Sequence, residues 1–190
     1  MTGASGMNTS RADSTNCCKM LNITDFSSRY RVRRLTESDL PMLFSFCAAN
    51  PQYYRSHSIS LSEKLILEDM TILPDGKTSE DKYYVGFFDG GDLIAVIDLI
   101  DGYPAPDIAY IGFFMVAAER SGKGVGSAII DELCGVISDK GFSAVRLAFG
   151  KENPQSSRFW KKNRFEAVLE TVHEKYGRVI VAQRKLDASY

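Results

Sequence analysis

The residues best spaced for chemistry run from Phe113 to Gly126: Phe-Phe-Met-Val-Ala-Ala-Glu-Arg-Ser-Gly-Lys-Gly-Val-Gly. They read as an apolar strand, a short polar crossing and a glycine-rich turn, and the amphipathic stretch Ser127–Lys140 follows at once. This layout suits a pyrophosphate held at the start of a helix. Backbone N–H groups there have no helical partner, and the helix dipole favours an anion. Glycines let the chain approach phosphate oxygens without a Cβ in the way. Two nucleotide loops fail on position. A P-loop needs Gly-x-x-x-x-Gly-Lys-Ser/Thr, but Gly122-Lys123 is followed by Gly124 and the earlier glycine position is Ala117. A dinucleotide fingerprint needs a third glycine where Ser127 stands, and it should close the first strand of a parallel sheet.

The elements that must position this turn can be read from periodicity. Met1–Asn22 is rich in Ser, Thr, Gly and Asn and reads as a poorly ordered tail, so the domain is expected to span 23–190, with Met20 an alternative start. Tyr30–Leu35 reads as a strand. Thr36–Asp39 opens a helix with Ser38 or Asp39 as its cap, Pro41 in its first turn and Leu40, Leu43, Phe44 and Cys47 on its apolar face. Gln52–His57 reads as an aromatic connection, and Ser60–Glu63 as a capping box for a second helix to about Met70. Tyr83–Phe88 and Leu93–Ile100 form a hairpin around Asp89–Asp92, and Ala109–Val116 is a third strand of the meander. The helix Ser127–Lys140 ends at Gly141. Strand Ala144–Phe149, helix Ser156–Asn163 after Asn153-Pro154, and strands Phe165–Val172 and Arg178–Leu186 complete the chain. The predicted order is β-α-α-β-β-β-α-β-α-β-β: an α/β (α+β) domain whose mixed, mostly antiparallel sheet is flanked by helices.

Composition narrows the function classes. The chain has 190 residues, 44% hydrophobic and 25% charged, which suffices for one domain with its own core. A net charge of −1 advertises no nucleic-acid or anionic-membrane partner. No apolar stretch reaches the roughly 20 residues of a membrane helix. No h-region suggests a secretory signal. Cys17, Cys18, Cys47 and Cys134 lack zinc-ligand spacing and there are two histidines, His57 and His173, which read as solvated; no metal is expected. Unpaired thiols fit a cytoplasmic protein.

Val116–Gly126 resembles motif A of the GNAT superfamily of N-acetyltransferases, which ends in Gln/Arg-x-x-Gly-x-Gly/Ala five residues past a strand-end Val. Ser121-Gly122-Lys123-Gly124-Val125-Gly126 occupies it. Asn153, Phe159-Trp160 and Phe165 resemble the Asn…(Leu/Phe)-Tyr…Gly-Phe pattern of motif B at matching separation. With the element order, the resemblance covers about 30–186. Three positions depart: Ser121 stands for Gln or Arg, Trp160 for the Tyr that in many members protonates the leaving thiolate, and Arg164 for a Gly, which leaves Asn163 to supply a left-handed residue.

The resemblance implies that coenzyme A, as acetyl-CoA, is bound by Ser121–Ser127 around its pyrophosphate, with Lys123 adding charge. Phe114, Met115 and Val116 would offer strand-edge groups to the pantetheine, one N–H polarising the acetyl carbonyl. Asn153 would hydrogen-bond the pantetheine, with Phe159 and Trp160 along the thioester. An amine near pKa 10.4 must lose a proton before attack. In several relatives a Glu six residues before the strand-end Val serves, and here that position is Tyr110. Asp107 and Asp98 are other base candidates, Tyr176 is a substitute acid, and Tyr53 and Tyr54 could line the acceptor site. Each reads equally as a packing or surface residue. The function implied is acetyl transfer to a primary amine of a small molecule or peptide, in a ternary complex. The alternatives are a non-catalytic acyl-CoA-binding sensor or interaction module, and a hydroxyl acceptor. Dimers are common in the superfamily, so a homodimer is an expectation carried by the resemblance alone.

Overall fold

The computed structural model describes residues 21–56, 60–173 and 176–186. Most of the expected tail, with Cys17, Cys18 and Met20, lies outside the described residues, as do His57 and Glu174. The end of that tail belongs to the domain instead. Leu21 is buried in the core, and the Asn22 side chain caps a 3-10 turn at Ile23–Phe26, whose Phe26 is wholly buried.

Among the described residues seven strands form one sheet: β1 Arg31–Arg34, β2 Lys82–Asp89, β3 Asp92–Ile100, β4 Ile108–Val116, β5 Ala144–Gly150, β6 Glu166–His173 and β7 Gly177–Lys185. Their order is β1-β2-β3-β4-β5-β7-β6. Only β4 and β5 run parallel, because α4 (Val125–Asp139) crosses between them. The others pair antiparallel. The remaining helices are α1 Leu40–Ala48, α2 Pro51–Ser56, α3 Glu63–Thr71 and α5 Pro154–Lys162. This is the expected mixed sheet with flanking helices; the aromatic connection proves to be the short helix α2.

Successive strand residues point to opposite faces, and the two faces carry separate cores. Val85, Ile97, Leu99, Ile111 and Leu147 pack with Ile129, Ile130, Leu133 and Ile137, the apolar stripe of α4. Burial of each such side chain contributes roughly 1.5–3 kcal/mol, so truncating Leu133 would loosen α4 first. On the other face Tyr84, Phe88, Val96 and Met115 pack with Leu43, Phe46, Cys47 and Ile66 of α1 and α3. In α1 it is Phe46, not Phe44, that is buried.

Helix ends follow local chemistry. Thr36 and Asp39 form a capping box around the 3-10 turn that leads into α1. Ser62, two residues past the expected cap, accepts from Leu65 N–H to start α3. Gly141, at φ +80°, closes α4. After α5 the reversal falls on Arg164 (φ +66°) and not on Asn163 (φ −90°). Asn163 is held in the helical turn because its side-chain amide donates to Phe159 O at 2.7 Å. Arg164 carries the left-handed backbone with its guanidinium on Asp131, 2.7 Å away.

Candidate active site between parted strands

β4 and β5 are paired only over Ile108–Ile111 with Ala144–Leu147. β4 continues to Val116 and β5 to Gly150, so the two strands part and the backbone of β4 beyond Ile111 has no strand on that side. The other edge of β4 stays paired with β3, and a bulge opposite Asp98 and Leu99 takes up Gly112 as the extra residue. A bulge bends its strand and increases the local twist, which turns β4 away from β5.

The parting opens a groove of about 740 Å³. Phe114–Val116 line it, with the glycine turn at one end, Asn153 and the first turns of α5 along one wall, and Ala49–Pro51 and Tyr53 opposite. Sequence reasoning brought Ser121, Gly122, Gly124, Gly126, Ser127, Asn153, Phe159, Trp160 and Tyr53 to one place, and all of them line this groove. Lys123 and Val125 face an adjoining hollow with Arg29 and Arg120.

The three glycines of the turn have different reasons to be there. Gly122 and Gly124 have φ of +73° and +84°, which a residue with a Cβ resists, although a Cβ at either would meet nothing within 4 Å. Gly126 has no such φ. Its Cβ would lie 3.1 Å from Val116 and 3.2 Å from Phe159, so it lets α4 pack close to β4 and α5. The N–H groups of the first turn of α4 point out of the helix without intrahelical acceptors, and no acidic residue stands in that turn. Arg158 and Lys162 line the groove beside one carboxylate, Glu152, while Arg120 is paired with Asp89 at 3.1 Å, so the groove can accept an anion. Arg158 and Lys162 were not singled out from sequence, although their i,i+4 spacing about Phe159 places them on one face of α5.

Aromatic rings line the same groove. Phe114 stacks on Phe159 at 5.9 Å, Phe159 meets Trp160 edge-on at 4.8 Å, and Trp160 meets Phe165 at 5.1 Å. Asn153 caps α5 by accepting from Ser156 N–H at 3.0 Å, which fixes its side chain at the wall of the groove.

Across the groove, Tyr53 stands edge-on to Phe113 at 5.4 Å and to Tyr54 at 5.1 Å. Burial, with Tyr176 adding its charge, pushes the Tyr53 hydroxyl well above the usual phenol range. Tyr54 is buried and shares a hydrogen bond with Cys47, which makes it a packing residue behind the wall. Tyr176, in the β6–β7 turn, interacts electrostatically with Tyr53 and so stands at the same end of the molecule.

Two base candidates are not brought to the groove. Asp107 precedes β4, and its carboxylate accepts from Ser143 Oγ at 2.5 Å just before β5. It ties the two strands at the end where they are joined, roughly 30 Å of strand from Val116. Tyr110 sits opposite Arg146 in the paired part of β4 and stacks edge-on with Tyr103 at 5.4 Å. Burial raises its pKa, which leaves it a neutral phenol and a poor base. Asp98 differs: it is buried behind Gly112 and Phe113, its Oδ2 2.7 Å from Lys82 Nζ. Among the described residues no group of three His, Cys, Asp or Glu is placed to hold a metal, and no helix is long and apolar enough to cross a membrane.

The sequence model of the acetyltransferase (GNAT) family matches residues 46–165, more than half of the chain, from α1 past the end of α5. No curated protein sequence matches. Among solved structures, an acetyltransferase from Thermus thermophilus superposes with a TM-score of 0.70 at 16% identity, over 83% of this chain and 97% of that one. RimL, a ribosomal L7/L12 alpha-N-protein acetyltransferase in complex with coenzyme A, gives 0.64 at 17%, over 88% and 100%. The aminoglycoside acetyltransferase AAC(6')-Ib in complex with coenzyme A gives 0.64 at 17%, over 82% and 94%. At such identities the structures speak for the fold. The glycine turn at parted strands, the sheet order and the family match agree: the chain belongs to the acetyltransferase (GNAT) family.

Proposed function

We propose that the protein transfers an acetyl group from acetyl-CoA to a primary amine of a small molecule or peptide, directly within a ternary complex. The observation that carries this reading is the parting of β4 from β5 beside a left-handed glycine turn, which leaves strand edge and helix N–H groups facing one groove. The turn from Ser121 to Ser127 takes the pyrophosphate through main-chain N–H groups, with Arg158 and Lys162 nearby. The pantetheine adds to the β4 edge as a short extra strand. An N–H within Phe114–Val116 polarises the acetyl carbonyl where negative charge develops. Phe159 and Trp160 keep water from the thioester. The acceptor enters past Tyr53, and to Tyr176 we assign protonation of the departing thiolate, since the Trp160 indole cannot act as an acid. Amine acceptors of both sizes have precedent among the neighbours, whose names include a protein N-terminal and an aminoglycoside acetyltransferase. Unpaired Cys47 and Cys134 suit a reducing cytoplasm.

The test is to mix purified protein with acetyl-CoA and a panel of amines and alcohols while following free thiol. Amine-dependent release supports the reading. Tight acetyl-CoA binding with no release on any acceptor would favour a non-catalytic acyl-CoA sensor.

A further inference from the structure

One carboxylate is buried without the partners that burial demands. Asp98 on β3 is 6% exposed. Its Oδ2 takes a hydrogen bond from Lys82 Nζ at 2.7 Å, and that ammonium also donates to Ile72 O at 3.1 Å. Its Oδ1 is buried and, among the described residues, accepts no hydrogen bond. An ion pair kept for stability alone would satisfy both oxygens, because an orphaned charged oxygen is costly.

The same carboxylate lies under the bulge of β4. A Cβ at Gly112 would sit 2.7 Å from Asp98 Oδ2. Gly112 itself is exposed. The residue inserted into the strand is thus the one that has no side chain to seal Asp98 from outside. Gly112 also begins the stretch of β4 that has left β5, about 7 Å along the strand from Phe114. The titratable groups facing Asp98 are Lys82 and Tyr84 from β2 and Asp69 from α3; β4 contributes Gly112 and Phe113. Burial, opposed by Lys82, pushes its carboxyl up to about 6, still largely ionised at pH 7.

We infer that Asp98, reached through the side-chain-free bulge at Gly112, receives the proton of the acceptor amine through one water, with Lys82 holding the carboxylate in place. The inference rests on the acetyl-transfer reading above. The acceptor ammonium gives one proton through the water to Asp98, and the free amine attacks the acetyl carbon. The C–N bond forms, the C–S bond breaks, and the second nitrogen proton ends on the departing thiolate. Asp98 then returns its proton to solvent. Acting through water, Asp98 is a positioning and proton-accepting group, and the bulge that parts the strands also opens the way to it.

The experiment uses the full chain and an amine on which the wild type turns over. Asp98→Asn is expected to lower kcat by about 100-fold with acetyl-CoA affinity retained, and to abolish the acid limb of the rate profile. Gly112→Ala, which drives a methyl into Oδ2, is expected to lower kcat in the same direction while the limb moves. Should Asp98→Asn fold poorly beside the unpaired Lys82, the double variant Lys82→Met/Asp98→Leu replaces the ion pair with apolar groups and is expected to fold without turning over. Carboxyl ¹³C spectra give a readout independent of turnover: an aspartate signal titrating near 6 in the wild type is absent in Asp98→Asn. A folded Asp98 variant whose kcat and pH profile match the wild type would overturn the inference and leave the transfer reading standing. A wild type that binds acetyl-CoA and acetylates no amine would overturn both.

Discussion

The two walls of the groove are made of different material. On the wall to which we assign the donor, the proposed working groups are main-chain: the β4 edge over Phe114–Val116, and the N–H groups from Gly122 to Ser127. Opposite it Tyr53 of α2 lines the groove and meets Phe113 edge-on, and our proposal adds the side chains of Tyr176 from the β6–β7 turn and Asp98 from β3 behind the bulge. A main-chain site depends on backbone angles and close approach, so its residues are glycines and its tolerance for other side chains is wide. A side-chain site depends on single atoms, and tertiary packing decides which residues supply them. In the proposed reaction the donor wall can therefore be shared across a family while the other wall sets what is acetylated.

Substitutions can break this contrast or sharpen it. The largest effect is expected from Tyr176→Phe, which removes one oxygen from the side-chain wall. It should lower kcat by about 100-fold, the low end for a general acid, with acetyl-CoA affinity unchanged. An equal loss in kcat and in acetyl-CoA affinity, read from initial rates and calorimetry, would make Tyr176 part of the donor wall. Gly124→Val comes next. A β-branched residue cannot hold φ +84° cheaply, so coenzyme A affinity should fall by about 30-fold. A Cβ there meets nothing, so the chain should still fold with about 1–2 kcal/mol lost to backbone strain, and unchanged affinity in the folded variant would contradict a main-chain site.

Gly126→Ala separates packing from conformation within the same turn. Its methyl presses on Val116 and Phe159, so about 1–2 kcal/mol of stability should be lost in a denaturant titration. Full stability with lost affinity would show Gly126 to act as Gly124 does. Lys123→Ala should matter least. An exposed cation near a phosphate is worth about threefold in affinity at low salt, and less as salt rises. A larger loss, unaffected by salt, would move weight from main chain to side chain.

The same contrast explains what could be read in advance. Gly122, Gly124 and Gly126 carry their meaning in spacing, and the hairpin turn at Asp89–Asp92 and the stripe of α4 mark the elements around them. Local chemistry went astray where a neighbour in space decided the outcome. Asn163 is the better left-handed residue by type, yet its amide is spent on Phe159 O and the turn passes to Arg164. Asp107 and Tyr110 precede Val116 at plausible distances in sequence, but they belong to the end of β4 that is still zipped to β5. Nothing in the run Asp98–Gly112 says that one lies under the other. That contact exists because the bulge puts Gly112 and Phe113 opposite a single stretch of β3, and a bulge has no fixed signature beyond its glycine. Tyr176 reaches Tyr53 from the far end of the chain because β7 inserts between β5 and β6.

Amide hydrogen exchange with and without acetyl-CoA tests the main-chain donor wall most directly. The account predicts that binding slows exchange at Phe114–Val116 and at Gly122–Ser127 and leaves β1 unchanged. Saturating acetyl-CoA with no protection in those two stretches would contradict it.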